Sequence, residues 1–465
     1  MDCDAHRVAD VVVIGAGWAG CAAAVELAQR AHCVALHEAA AGVGGRARCV
    51  VRDGLPLDNG EHLLLGAYVD TLALAATLRD GDAHAAWRIT PLAIRPLAKG
   101  QHNAIAFATH GLPGSLGLAA GFMLARGLGW GERVATLRWF ARQRGRGFRC
   151  DPATTVDALL AELSPRVRDN LWAPLCVAAL NTPPQRASAQ SFLNVLRETF
   201  GAGAAATATV VPRNGLGDAI PERAAQWLVA RGHAVNTSTR SRVVDVVADG
   251  VVLETSAGTI RADAVVVAVG PHQLRQAFAS DVATRYAGIG EALRAVDAFE
   301  YEPIATVYLG YTAPVALPQG LLRLDDRPGQ WLFDRADILR RADPAPPPGV
   351  RALLSVVISA RGPHESLDHA SLVAAIDAQL RRLTALPPLC WSQVIEEKRA
   401  TYACVPALVR PAAGRLADRV FLAGDYTHSS LPATLEAAVR SGLAAARAVG
   451  SARAVGSEQK ARFLL

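Results

Sequence analysis

Asp58-Asn59-Gly60-Glu61-His62 sets four polar groups around one glycine, directly ahead of the aliphatic run Leu63-Leu64-Leu65. A carboxyl group beside an imidazole can give a proton to a departing oxygen or take one from a substrate, once burial and neighbours tune both towards neutrality. A turn accounts for Asn59 and Gly60. It does not account for an acid and a histidine against three leucines. Two quieter roles compete with proton chemistry: Glu61 as a salt-bridged surface acid and His62 as a ring bonded to backbone.

A second set of groups is suited to phosphates. In "VVVIGAGWAGCAAAVELAQRAHCVALHE" an apolar run, Val11 to Ile14, meets Gly15, Gly17 and Gly20, and a helical pattern follows. The spacing is GxGxxG at a strand-to-helix turn: the first glycine turns tightly, the second admits a pyrophosphate to the backbone, and the third lets helix and strand pack closely. The helix start supplies free N–H groups and a positive dipole end. Glu38 ends the next strand, about 20 residues on, where an acid takes ribose hydroxyls. An acid rather than an arginine there argues against a 2′-phosphate and leaves FAD or NAD. The bland alternative is a glycine-rich turn, but strand, turn, helix, strand and acid follow in order.

These groups need elements to hold them, and the chain supplies an α/β pattern. "RVFLAGDYTHSSLPATLEAAVRSGLAAARAV" (419–449) reads as a short buried strand, a Gly424-Asp425 turn and a helix with Pro432 near its start. "RVVDVVADGVVLETSAGTIRADAVVVAVGP" (242–271) alternates strands and tight turns. "LWAPLCVAALNTPPQRASAQSFLNVLRETF" (171–200) has helical apolar spacing on both sides of a break at Asn181 to Pro184, and "YEPIATVYLGY" (301–311) alternates as a strand.

At 465 residues the chain can bury a large core in two or three domains. Hydrophobic residues make up 51% and charged residues 19%, a mix that points to apolar ligands or a membrane surface. No apolar run reaches about 18 residues, the length a spanning helix requires. The acidic start "MDCDAHRVAD" is unlike a signal peptide, so the expected location is the cytoplasm, peripheral on the inner face of the cell membrane. Segment 111–149 runs from a glycine-rich apolar stretch into basic residues bearing Trp130, Trp139 and Phe140. It suits a membrane contact or, equally, a buried helical hairpin. Eight scattered cysteines form no CxxC pair, and no metal site is expected. The net charge of +6 comes without the basic-aromatic blocks that track nucleic acid, so no nucleic-acid partner is expected.

"GVGGRAR" (42–48) follows Glu38 and resembles the second fingerprint, GGRxR, of the flavin-dependent amine oxidase and carotenoid (phytoene) desaturase superfamily. Gly44 and Gly45 would bring backbone to the pyrophosphate and Arg46 would add charge, with FAD as the implied cofactor. The GD and ExAVxSG phrases resemble the superfamily's later flavin motif. By that resemblance Asp425 binds the ribityl or pyrophosphate part, and the helix beginning near Pro432, Ala433 and Thr434 points its N-terminus at the flavin. Glu436 is open between a helix-surface acid and a cofactor-region residue. Val243 matches a position whose backbone contacts adenine, and Asn59 and Gly60 close the fingerprint region. The implied fold is a discontinuous Rossmann-like FAD-binding domain, residues 1–65, 211–290 and 410–450. An inserted α+β substrate domain takes 66–210 and 291–409, before a tail at 451–465.

"DNGEHLLLGAY", "LWAPLCVAALNTPP", "SFLNVLRETF" and "GDYTHSSLPATLEAAVRSG" together resemble the hydroxysqualene dehydroxylases of bacterial hopanoid synthesis. Glu61 stands where the resemblance leads one to expect glutamine. The implied reaction is delivery of hydride from reduced flavin to the allylic carbon of hydroxysqualene, a C30 isoprenoid, as the hydroxyl leaves. NADPH or a reductase would supply electrons. Glu61, His62, His428 and Tyr402 are candidates for the acid that protonates the hydroxyl, with His62 and Glu61 first and Tyr402 more readily a core aromatic. Two rivals stand beside this reading. One is a carotenoid desaturase or amine oxidase; the other is a non-catalytic isoprenoid carrier, against which the intact phosphate and ribose motifs argue.

Overall fold

Val11–Ile14 is apolar at every position, which suits a strand covered on both faces, and its four residues are at most 5% exposed. The computed structural model describes residues 7–97, 105–109, 116–343, 345–427 and 430–463, with the side chains of 7, 8, 83 and 451–463 excepted. His428 and the start of the 111–149 segment lie outside the described residues.

The strand Arg7–Ile14 pairs in parallel with Val34–His37 on one side and Gly258–Val267 on the other. Ala234–Asn236 extends the parallel sheet beyond Val34–His37, and Val420–Leu422 runs parallel to Gly258–Val267. Strands from three distant stretches of chain thus share one sheet. Ser241–Val247 and Gly250–Thr255 add an antiparallel meander, and Gly414–Ala417 pairs antiparallel with Val420–Leu422. Trp18–Gln29 packs on this sheet and against the C-terminal helix Leu435–Phe463. The two helices meet closely at Gly442, where a Cβ would lie 2.1 Å from the Ala19 carbonyl oxygen.

A second, seven-stranded sheet takes its longest strands from Tyr301–Tyr311, Ala352–Ser359 and Leu389–Tyr402. The period of two sorts its faces. Leu354, Val356 and Ile358 pack under the helix His369–Leu383, while Ser355, Val357 and Ser359 point the other way, Val357 and Ser359 onto a cavity between the two sheets.

Helices between 173 and 207 wall that cavity. Ala173–Leu180 stops at Asn181, which adopts a left-handed conformation (φ +48°), and Ala189–Thr199 resumes after the break. Trp172 packs on Phe122, Trp139 and Phe192 in an aromatic cluster, and Phe192 carries that cluster to the wall. In the described part of the 111–149 segment, side chains are divided between core and surface. Phe122, Trp139 and Phe140 are buried, whereas Leu116, Leu124 and Trp130 are 62%, 64% and 68% exposed. No described helix is long and apolar enough to cross a membrane.

Candidate active site between the two sheets

The cavity has a volume of about 750 Å³. At the first sheet its wall is made of backbone-rich loops. A Cβ on Gly20 would sit 1.8 Å from the Gly15 carbonyl oxygen, so only glycine lets helix Trp18–Gln29 start this close to the strand. Gly45, at φ +61°, approaches the Gly17 loop so closely that a Cβ would meet Gly17 Cα at 3.2 Å. Gly15, Gly17, Gly44 and Gly45 line the cavity, and Gly20 stands behind it as a packing residue. Glu38 closes this end. Its Oε2 accepts the Ala16 N–H at 2.8 Å and its Oε1 the Ala40 N–H at 2.9 Å, which pins the carboxylate at the strand terminus.

Arg46 joins the two distant motifs. One guanidinium nitrogen donates to Asp425 Oδ1 at 2.7 Å and the other to the Ala400 carbonyl at 2.7 Å. Burial opposes the charge of Arg46, and Asp425, together with Glu397 and Tyr301, more than offsets it, so its pKa is raised. The Gly424 amide donates to Ser441 Oγ at 2.8 Å, which ties the turn to the helix carrying the ExAVxSG phrase. Thr434 Oγ1 accepts the Ala437 N–H at 3.1 Å and so caps that helix. Ala433 and Thr434 are on the cavity wall; Pro432 lies just behind it.

Two expectations change in the structure, and Tyr402 takes the core role its type suggested. Val243 is fully buried and off the wall, with its carbonyl taking the Ala279 N–H at 2.8 Å; the strand presents Arg240 and Ser241 instead. Glu436 is fully buried but faces a helix rather than the cavity: it accepts from the Asp70 and Thr71 amides, the Thr71 hydroxyl and Arg440. It caps Val69–Thr77. Tyr402 packs on Phe299 with ring centroids 5.2 Å apart and receives a hydrogen bond from Arg410 at 2.7 Å, which makes it a core aromatic.

At the junction of the two sheets lies the stretch Asp58 to His62. Asn59 Nδ2 donates to the Arg46 carbonyl at 2.9 Å, which links the stretch to the arginine loop. His62 Nδ1 donates to the Gly60 carbonyl at 3.0 Å, since a carbonyl can only accept. Nε2 then has no protein partner among the described residues, on a ring that lines the cavity. Burial lowers the His62 pKa, with Arg46 adding to the effect and the Gly60 bond and Asp58 opposing it.

Glu61 is not a surface acid. Its side chain is 5% exposed, ion-paired with Arg335 and bonded to Ser355 Oγ at 2.9 Å. Burial raises its pKa and Arg335 opposes that rise. Leu63 and Leu65 reach the cavity while Leu64 enters the core, as strand alternation requires. Further in, the wall is apolar, with Phe192, Phe200, Trp331, Phe333 and Val357.

Sequence reasoning missed Tyr68, His272 and Arg335. Tyr68 and His272 line the cavity beside the motif residues. Tyr68 closes the very stretch that carries His62, so its aromatic ring was a legible signal; Arg335 lies in a segment with no motif.

A loop system that brings bare backbone and a helix start to a long cavity, with an acid at one end and an arginine in the middle, fits a dinucleotide flavin. The flavin-containing amine oxidoreductases match this chain over residues 18–450. A hydroxysqualene dehydroxylase from Rhodopseudomonas palustris is 31% identical over 94% of this chain and 97% of its own length. The chain belongs to the flavin-containing amine oxidoreductases, in the hydroxysqualene dehydroxylase family. A second hydroxysqualene dehydroxylase, from Sinorhizobium fredii, is 28% identical over 94% of this chain and 97% of its own. An oxidoreductase from Methanosarcina mazei shares the fold, with a TM-score of 0.70 at 15% identity over 93% of this chain and 98% of that one. This flavoenzyme is an FAD-dependent oxidoreductase. The groups that would hold FAD are the glycine loops, Glu38, Arg46, Asp425 and the start of the C-terminal helix.

Proposed function

We propose that this flavoenzyme removes the hydroxyl of hydroxysqualene reductively to give squalene, with His62 as the group that handles the departing oxygen. FAD, when bound and reduced, supplies hydride to the allylic carbon. The C–O bond breaks with its electron pair on oxygen, and one proton completes a water molecule. The observation that carries this reading is the placement of the His62 ring. It is a polar group with no partner at Nε2 among the described residues, on a wall that passes from the cofactor loops on one side to apolar side chains on the other. In its charged form His62 holds one proton at Nδ1 against Gly60 and offers the other from Nε2 to the oxygen. Glu61, bonded to Arg335 and Ser355, is given a supporting role. The apolar wall excludes water and accepts an isoprenoid chain.

Anaerobic protein with FAD and dithionite should convert hydroxysqualene to squalene. A product with added double bonds, or an absolute need for a quinone acceptor, would favour desaturation instead.

We infer in addition that the enzyme meets an anionic membrane through the helices Leu116–Leu124 and Trp130–Gly145. Leu124, Trp130 and Val134 are exposed there beside Arg126 and Arg138, a pairing of apolar and cationic groups that suits a lipid interface. Co-sedimentation with phosphatidylglycerol vesicles, lost in a Leu124→Asp/Trp130→Asp variant, would support this; equal pelleting of the variant would remove it.

A further inference from the structure

Arg335 follows the strand Trp331–Asp334 of the second sheet and is 4% exposed. Its guanidinium reaches three carboxylates: Asp58 Oδ2 at 3.0 Å, Glu61 in a short ion pair, and Asp337 at 3.2 Å. Asp58 and Glu61 flank the two residues that set the His62 ring. Between them, Asn59 bonds the Arg46 carbonyl and Gly60 receives His62 Nδ1. The second sheet grips the same stretch elsewhere. The Tyr308 hydroxyl donates to the Asp58 carbonyl at 2.9 Å and Ser355 Oγ to Glu61.

We propose that Arg335 is the positioning residue of this site. By holding Asp58 and Glu61 together, it fixes the loop that presents His62, and so sets the proton-handling ring in register between the cofactor loops and the apolar wall. A flat guanidinium can bond two carboxylates at once in fixed directions, which a lysine cannot. A buried cation with several acids is a poor source of stability compared with apolar packing, so geometry is the better account of its presence here. It also gives Glu61 a reason to be an acid where glutamine was expected: Glu61 answers the charge of Arg335.

The proposal rests on the reading of His62 above, and its test is built to fail separately. The His62 ring is read first without substrate, by NMR of histidine-¹⁵N-labelled, FAD-loaded protein at about pH 8, above the ordinary histidine range. Comparison with His62→Gln assigns the signal. The wild-type ring should show one neutral tautomer, with the proton on Nδ1. Arg335→Gln should give a tautomer mixture, and kcat for hydroxysqualene should fall about tenfold or more. KM and FAD affinity should stay within about threefold of wild type, because neither the apolar wall nor the glycine loops change. Arg335→Lys should recover part of kcat. Because Arg335→Gln leaves buried acids unpaired, the charge-balanced Arg335→Gln/Glu61→Gln variant is the second arm, with the same expectation. An unchanged tautomer and kcat in a variant that binds FAD would overturn the proposal, as would a loss of FAD affinity in parallel with kcat. Wild-type protein inactive on hydroxysqualene would overturn the proposed reaction, and the ring signature alone would then decide on Arg335.

Discussion

Arg46 Nη2 lies 2.7 Å from Asp425 Oδ1, across 379 residues of sequence. One hydrogen-bonded ion pair therefore joins the glycine-arginine loop to the turn before the C-terminal helix, inside the wall of the cofactor cavity. Asp425→Ala should remove both the pair and a polar group on the cavity wall. FAD affinity, read by flavin fluorescence titration, should weaken by about tenfold to a hundredfold, the scale of a lost charge-assisted hydrogen bond. Asp425→Asn should fall between.

Two glycines should respond with opposite sign. Gly442→Ala puts a methyl group 2.1 Å from the Ala19 carbonyl oxygen, a backbone atom that cannot step aside, so helix Trp18–Gln29 must shift. The cost should be about 1–3 kcal/mol in denaturant unfolding. Gly131, inside Trp130–Gly145, has nothing within 4 Å of the place a methyl group would take, and Gly131→Ala should stabilise by up to about 1 kcal/mol.

The pH dependence of His62 has two signs. Its native pKa is lowered by burial, so in the free enzyme the charged ring is lost as pH rises through a value below the ordinary 6.5. If that ring donates the proton, kcat/KM should decline over the same range, and His62→Gln should abolish the limb along with most of the rate. Stability runs the other way. The unfolded chain takes up the proton at its ordinary value and the native state only lower, so this contribution is complete above about pH 6.5 and is lost as pH falls from there towards the native pKa.

Glu436 should matter for stability and little for the cofactor. Glu436→Ala strips the cap from Val69–Thr77 and leaves Arg440 without one of its acids. A loss of roughly 2–4 kcal/mol is expected, from the cap and the broken ion-pair network together. FAD affinity should remain near wild type because the side chain is off the cavity wall. A large loss of FAD binding at unchanged stability would return Glu436 to the cofactor.

Gly15, Gly17, Gly20 and Glu38 could be read from the sequence because their work is local: a turn, a helix start and a strand end lie within one strand-helix-strand unit, and spacing alone dictates them. Arg46 and Asp425 were legible as separate motifs, though not as partners. Glu436 was misleading because helical periodicity says which face a residue takes and not which helix meets that face; its bonds to Thr71 span 365 residues. Arg335 carried no signal at all. Its role exists because the second sheet brings it to Asp58, 277 residues away, and no periodicity or local propensity records a pairing of that length. The chain by itself determined that a flavin-type loop system would form and that an acid and a histidine would follow it. Tertiary structure decided that, among the described residues, His62 Nε2 is left without a partner while Glu61 is bound into a buried ion pair, because burial and partners, which set what a titratable group can do, are properties of the assembled sheets.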